Sequence, residues 1–249
     1  MALLQVENLK KNYQKKIALQ GIDFKIEPGE IFGLIGPNGA GKTTTLRIVS
    51  TLLGYDAGIV KLDGFCAREN PDKIRELISY LPEDAGVYKN LKGTEYLQFI
   101  AGFFERGQKK EEMVARGQKI ADLGDAVKEK VSSYSKGMIR RLVIARSLMV
   151  EPKLAILDEP TSGLDVINSR EVRKIIIDSV GEENGILLSS HNMFEVDSLC
   201  DRIALVYKGK IIATGTPDEI KSKWGMSSLE EVFVHLVENS ENKTDFKES

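Results

Sequence analysis

The chain has 249 residues, 42% of them hydrophobic, which is enough to bury a substantial core and excludes disorder as its dominant state. Lys and Arg number 35 against 37 Asp and Glu, so no overall basic field points to nucleic acid and no polyacidic tail points to basic partners. Cys66 and Cys200 are the only cysteines; two cysteines exclude a disulfide-rich scaffold, fit a reducing compartment and form no metal-ligand cluster with His191 and His235.

The start, Met1 to Glu7, lacks a basic segment followed by a long apolar stretch, and no run approaches the roughly 20 apolar residues of a spanning helix. The expectation is a cytoplasmic chain that reaches a membrane through another polypeptide. Ile22, Phe24 and Ile26 alternate with Asp23 and Lys25, and Pro28-Gly29 closes a strand and turn. The apolar run Ile31 to Ile35 then leads into Gly36-Pro37-Asn38-Gly39-Ala40-Gly41-Lys42-Thr43-Thr44, with the helix-compatible run Leu46 to Val49 behind it. Strand, glycine-rich loop and helix in that order make a phosphate cradle. The glycines let successive N–H groups turn inward, and the helix adds the positive end of its dipole. Lys42 is placed on the β- and γ-phosphates, Thr43 on Mg²⁺ and Thr44 on the α-phosphate of a nucleoside triphosphate. Val60 to Gly64 alternates again, so a small antiparallel layer is expected beside the loop.

From about residue 90 to 130 the sequence turns charged and helix-favouring, as in Gln108 to Val114, which predicts a helical insertion. Ser133-Tyr134-Ser135-Lys136-Gly137-Met138 opens a helix over residues 138–149, a helix start equipped with a hydroxyl, a cation and a glycine. Glu151-Pro152 ends it before the apolar run Leu154 to Leu157, which, like Ile186 to Leu188, reads as a strand buried on both faces of a mainly parallel sheet. At the end of the first of these strands stand Asp158 and Glu159, where ligands of open α/β sheets collect. Asp158 is assigned to Mg²⁺ and Glu159 to the attacking water, since phosphoryl transfer needs mainly positioning and charge neutralisation. Near the end, Leu229, Val232, Phe233, Leu236 and Val237 share one helix face, with Ser228 and Glu231 spaced as a capping box. The polar stretch 241–249 is expected to be disordered.

Ordered along the chain, these motifs resemble the ATP-binding-cassette (ABC) ATPases. Ser135-Lys136-Gly137-Met138 is similar to the family's signature, whose usual form is Leu-Ser-Gly-Gly-Gln; Tyr13 stands where an aromatic stacks on adenine; Ser162-Gly163-Leu164-Asp165 resembles the loop that couples two sites; and His191 matches the switch histidine that reads the γ-phosphate. The resemblance spans Leu4 to about Trp224. It departs at Glu83, where the family commonly has Gln: a carboxylate can accept from a metal-bound water but cannot donate as an amide does. It departs again at Lys136 and Met138, which leaves the Ser135 hydroxyl and the Gly137 N–H as the signature contacts. These variants, with Leu229 to Phe233, are similar to the branch that powers ABC-2-type drug and sodium exporters.

The resemblance implies an α/β fold: a P-loop core with a mainly parallel sheet, a flanking antiparallel layer and an inserted helical subdomain. The implied divisions are residues 1–83, the helical part 84–150, the rest of the core 151–225 and a C-terminal helix with a polar tail 226–249. It implies ATP and Mg²⁺ as ligands, with Thr43, Glu83 and Asp158 at the metal. It also implies a head-to-tail dimer, homodimeric or with a paralogous ATPase subunit, that closes around two ATP. Membrane permease subunits would hold the chain at the cytoplasmic face, and no nucleic acid is involved. Two rivals are carried: a soluble ABC protein of translation or DNA repair, and a small P-loop kinase. Translation factors of that type carry two cassettes and repair proteins a long coiled coil, features this sequence lacks; a kinase would not explain Ser135, Gly137 or His191.

Overall fold

The computed structural model describes residues 1–14 and 16–245, with residues 240–245 as backbone only. Along the chain run β1 (Leu4–Tyr13), β2 (Lys16–Ile26), β3 (Ile31–Ile35), α1 (Lys42–Val49), β4 (Ala57–Leu62), β5 (Phe65–Cys66), α2 (Pro71–Leu77) and β6 (Ile78–Leu81). Then come α3 (Gly93–Ala101), α4 (Gly107–Ala121), two short 3-10 turns, α5 (Lys136–Leu148), β7 (Leu154–Asp158), α6 (Val166–Asp178) and β8 (Gly185–Ser190). The chain finishes with α7 (Met193–Asp197), β9 (Arg202–Tyr207), β10 (Lys210–Gly215), α8 (Pro217–Trp224) and α9 (Leu229–Asp245).

Every residue of β3, β7 and β8 is buried, as their unbroken apolar runs require of strands covered on both faces. They lie in a six-stranded sheet of order β10-β9-β3-β8-β7-β6, parallel except for β10. Because β8 runs between β3 and β7, the phosphate loop after Ile35 and the acids after Leu157 emerge at the same edge, beside Ser190 and Ser189 of β8. The second sheet, β2-β1-β4-β5, is the expected antiparallel layer. It packs on the parallel sheet through one core in which Leu4, Leu19, Ile22 and Val60 meet Phe32, Leu46 and Leu187. On the other face, Ile35, Val143, Leu157, Val172, Leu188 and Val232 form a second core. A third, with Tyr96, Leu97, Val114, Leu142 and Met149, unites α3, α4 and α5.

Several expectations change in detail. β1 went unread because its alternation breaks: the register shifts between Val6 and Leu9, and Asn8 adopts φ 44, so inward residues fall out of phase. β2 begins six residues before Ile22 for the same reason, with bulges that break the period on both strands. The signature helix starts at Lys136, capped by Ser135, and ends at Leu148. The helix from Leu229 continues to Asp245, so the disorder expected from Glu241 does not hold over residues 241–245; residues 246–249 lie outside the described residues. The capping box there is shifted: the Glu231 N–H donates to Ser228 Oγ at 3.2 Å, but the Glu231 carboxylate takes the N–H and hydroxyl of Ser227, both at 3.0 Å.

Candidate active site

β3 leaves the sheet at Gly36, where a Cβ would fall 2.1 Å from Val206 O of β9, so the chain can pass only as glycine. Gly41 then turns the loop into α1 with φ 113. The Thr45 N–H is the first in the helix to reach a carbonyl, Gly41 O at 2.9 Å, and the amides ahead of it face the loop, as helix starts require. Unpaired amides at a helix start suit an anion. Ala40 is buried under the loop, its N–H committed to Pro37 O at 3.2 Å.

Lys42 is 5% exposed; its Nζ donates to Gly36 O at 2.6 Å and lies 3.3 Å from Glu159 Oε1. From the end of β7, Asp158 Oδ1 accepts Thr43 Oγ1 at 3.2 Å and Ser189 Oγ at 2.5 Å. Glu159 Oε2 is 2.8 Å from His191 Nδ1 and accepts the His191 N–H at 3.3 Å, while Oε1 is buried with no hydrogen-bond partner. A pocket of about 170 Å³ brings Tyr13, Pro37, Asn38, Gly39, Gly41, Lys42, Thr43, Thr44, Glu83 and Glu159 to one wall system. Tyr13 stands at its rim, 44% exposed, with Lys11 Nζ 5.5 Å above its ring.

Of the predicted residues outside that lining, Ala40, Asp158 and His191 touch residues that form it, while Ser135, Gly137 and Asp165 make their contacts on α5 and α6. Ser135 caps α5 and accepts the Met138 N–H at 3.2 Å. Gly137 lies against α6, where a Cβ would fall 1.9 Å from Asn168 Oδ1. Asp165 caps α6; the backbone N–H of Asn168, at 2.9 Å, holds its carboxyl below the usual range. Glu83 links the two regions: its Oε1 accepts Ser162 Oγ at 3.3 Å and its carbonyl accepts Arg140 of α5 at 3.3 Å.

The oxygens present suit Mg²⁺. A hydroxyl and a carboxylate side by side, Thr43 and Asp158, are a hard donor pair of the kind Mg²⁺ uses together with phosphate and water, and among the described residues no group of three or more His, Cys, Asp and Glu competes as a closed cage. Glu159 Oε1, which makes no hydrogen bond of its own, is neutralised by the Lys42 ammonium at 3.3 Å, so the loop lysine and the carboxylate face one another across the place a phosphate would take. Sequence reasoning missed Ser189, Lys16 and Arg140. The signal for Ser189 was a buried hydroxyl closing an apolar strand two residues before His191; Lys16 lines the pocket from a hairpin read only for Tyr13. Size does not mark the site: a larger cleft of about 630 Å³ beside α4 and α6 holds none of the predicted residues.

The family model described as ABC transporter matches residues 19–162, more than half of the chain. The chain belongs to the ABC transporter family. This ABC protein is 36% identical over 233 residues to the linearmycin resistance ATP-binding protein LnrL of Bacillus subtilis, covering 91% of the chain and 73% of the relative. It is 40% identical over 222 residues to a fluoroquinolones export ATP-binding protein of Mycobacterium tuberculosis, covering 88% and 72%. Among solved structures, cbiO1 from Clostridium perfringens, part of the transporter complex cbiONQ, superposes with a TM-score of 0.81 at 27% identity over 90% of this chain and 92% of that one. As a family member this ABC protein is an ATP-binding, ATP-hydrolysing subunit, and its fold is the ABC ATPase fold. The translation and repair reading gains nothing from these relatives.

Proposed function

We propose that this ABC ATPase powers export by closing head to tail on a second ATPase subunit around two ATP, at the cytoplasmic face of a membrane, and passing that motion to permease subunits. The observation that carries this reading is the split geometry. One pocket holds the phosphate loop, Lys42, Glu83 and Glu159, while the signature residues lie outside it: Ser135 exposed at the cap of α5 and Gly137 buried against α6 in the first turn, a helix start that supports a role in the site of another copy. Val166 and Ile167, 83% and 75% exposed beside Asp165, and Phe194, 74% exposed near His191, supply apolar surface for such a closure.

In this reading Lys42 and the loop amides hold the β- and γ-phosphates and Tyr13 stacks on the base. Thr43 and Asp158 would hold Mg²⁺, which neutralises phosphate charge when bound. Glu159 orients the attacking water and takes its proton, and His191 fixes the Glu159 carboxylate through Nδ1. Glu83 touches both the pocket and Ser162, so it is the reporter between the phosphate end and the loop that leads to Asp165. Export is supported by relatives named for antibiotic resistance and drug export.

The test is Glu159→Gln. It is expected to keep ATP binding, accumulate an ATP-dependent dimer in light scattering and lose about 10²- to 10⁴-fold in turnover. Wild-type hydrolysis would remove Glu159 as the base, and a monomer at saturating ATP would remove the clamp.

A further inference from the structure

We propose that Ser189 is a positioning residue for both acids, holding the Asp158 carboxylate and the Glu159 backbone in one arrangement from the end of β8. The inference rests on the hydrolytic reading of this site and names how its acids are kept in place.

Ser189 is fully buried, and a buried hydroxyl must place its one proton and find a donor for its lone pairs. Both demands are met by the acid pair. The Ser189 hydroxyl donates to Asp158 Oδ1 at 2.5 Å and accepts the Glu159 N–H at 3.0 Å. Glu159 has φ 49, a left-handed conformation that is uncommon for a residue with a side chain and persists only where its surroundings hold it. Besides Lys42, 3.3 Å from Glu159 Oε1, the holding comes mainly from residues 189–195. Ser189 takes the Glu159 N–H, His191 takes its carboxylate at 2.8 Å, and two residues on, Thr161 Oγ1 donates to Glu195, itself 3.6 Å from Arg173.

The residue type follows. The neighbouring β8 positions Ile186, Leu187 and Leu188 are apolar, and an apolar side chain at 189 would leave the Glu159 N–H without its acceptor and Asp158 Oδ1 with Thr43 alone. With Ser189 present, the carboxylate is oriented independently of Thr43, so that the two oxygens remain a pair for a divalent cation.

The experiment compares Ser189→Ala and Ser189→Thr in the full chain, reading equilibrium binding of a non-hydrolysable ATP analogue with and without Mg²⁺, and kcat against KM. For Ser189→Ala, metal-free binding is expected at the wild-type level, the affinity gained on adding Mg²⁺ should shrink about tenfold, and kcat should fall at least about tenfold with KM little changed. Ser189→Thr, which keeps the hydroxyl, should restore the Mg²⁺ response. Should the alanine variant not fold, Ser189→Cys, close in volume and weak as a hydrogen-bonding group, takes its place. A wild-type Mg²⁺ response in the alanine or cysteine variant, or equal impairment of the alanine and threonine variants, overturns the proposal. Full hydrolysis by Glu159→Gln would instead sink the hydrolytic reading itself, so the two failures are told apart.

Discussion

At Gly36 the chain runs so close to β9 that a methyl group would lie 2.1 Å from Val206 O, a backbone atom that cannot swing aside. Gly36→Ala should therefore cost about 3 kcal/mol or more, read as a lower denaturant midpoint, because overpacking against backbone displaces the loop itself. ATP binding should fall with it, since the amides of the cradle move as one. At this scale the phosphate loop was legible, because each residue type there answers a local demand. Glu159 was legible as an acid but not as a residue at φ 49, and Ser189 was invisible as a partner. Its role exists only once β7 and β8 stand side by side with Asp158 opposite Ser189.

Among the elements, α5 is the most informative. Val143, Ile144 and Leu148 face the core under the parallel sheet, while Leu142, Ala145 and Met149 face the core shared with α3 and α4. A helix apolar on most sides is buried, which is why its sequence showed a run of hydrophobic residues without a clean polar face. Its N-terminal cap is Ser135, whose oxygen accepts the Met138 N–H while its hydroxyl proton remains available to donate. Ser135→Glu places a charge and bulk at the proposed intersubunit contact. It should leave nucleotide binding by the monomer unchanged and abolish the ATP-dependent dimer of the Glu159→Gln background, checked by scattering at matched ATP; an unchanged dimer would count against the composite site. The start of α5 was read two residues late because Met138 is the first apolar residue, whereas the cap geometry begins the helix at Lys136.

For the molecule as a whole, the apolar runs showed that β3, β7 and β8 are interior strands, but nothing local in them gives the order β3-β8-β7, which is set by crossovers through distant helices. On the helical side Tyr88, Phe99, Phe103 and Phe104 are 57%, 44%, 70% and 59% exposed, and the first three form a ladder of edge-on rings spaced 5.2 and 5.1 Å. An exposed aromatic patch of that kind suits a contact surface, and the proposed assembly assigns it to the permease. Phe99→Ser with Phe103→Ser should weaken co-purification with the membrane subunits and uncouple transport, while the isolated chain hydrolyses ATP at its usual rate. Retained assembly would move the docking surface elsewhere.

The double membership of α5 has a mechanical consequence. Arg140 ties its first turns to Glu83 O, and Arg146 ties its last to Gly86 O at 3.2 Å and to the Tyr96 hydroxyl. In the proposed assembly a displacement of residues 83–86 would reach α5 through these bonds, and a helix packed into two cores would pass it on to Ser135 as a tilt.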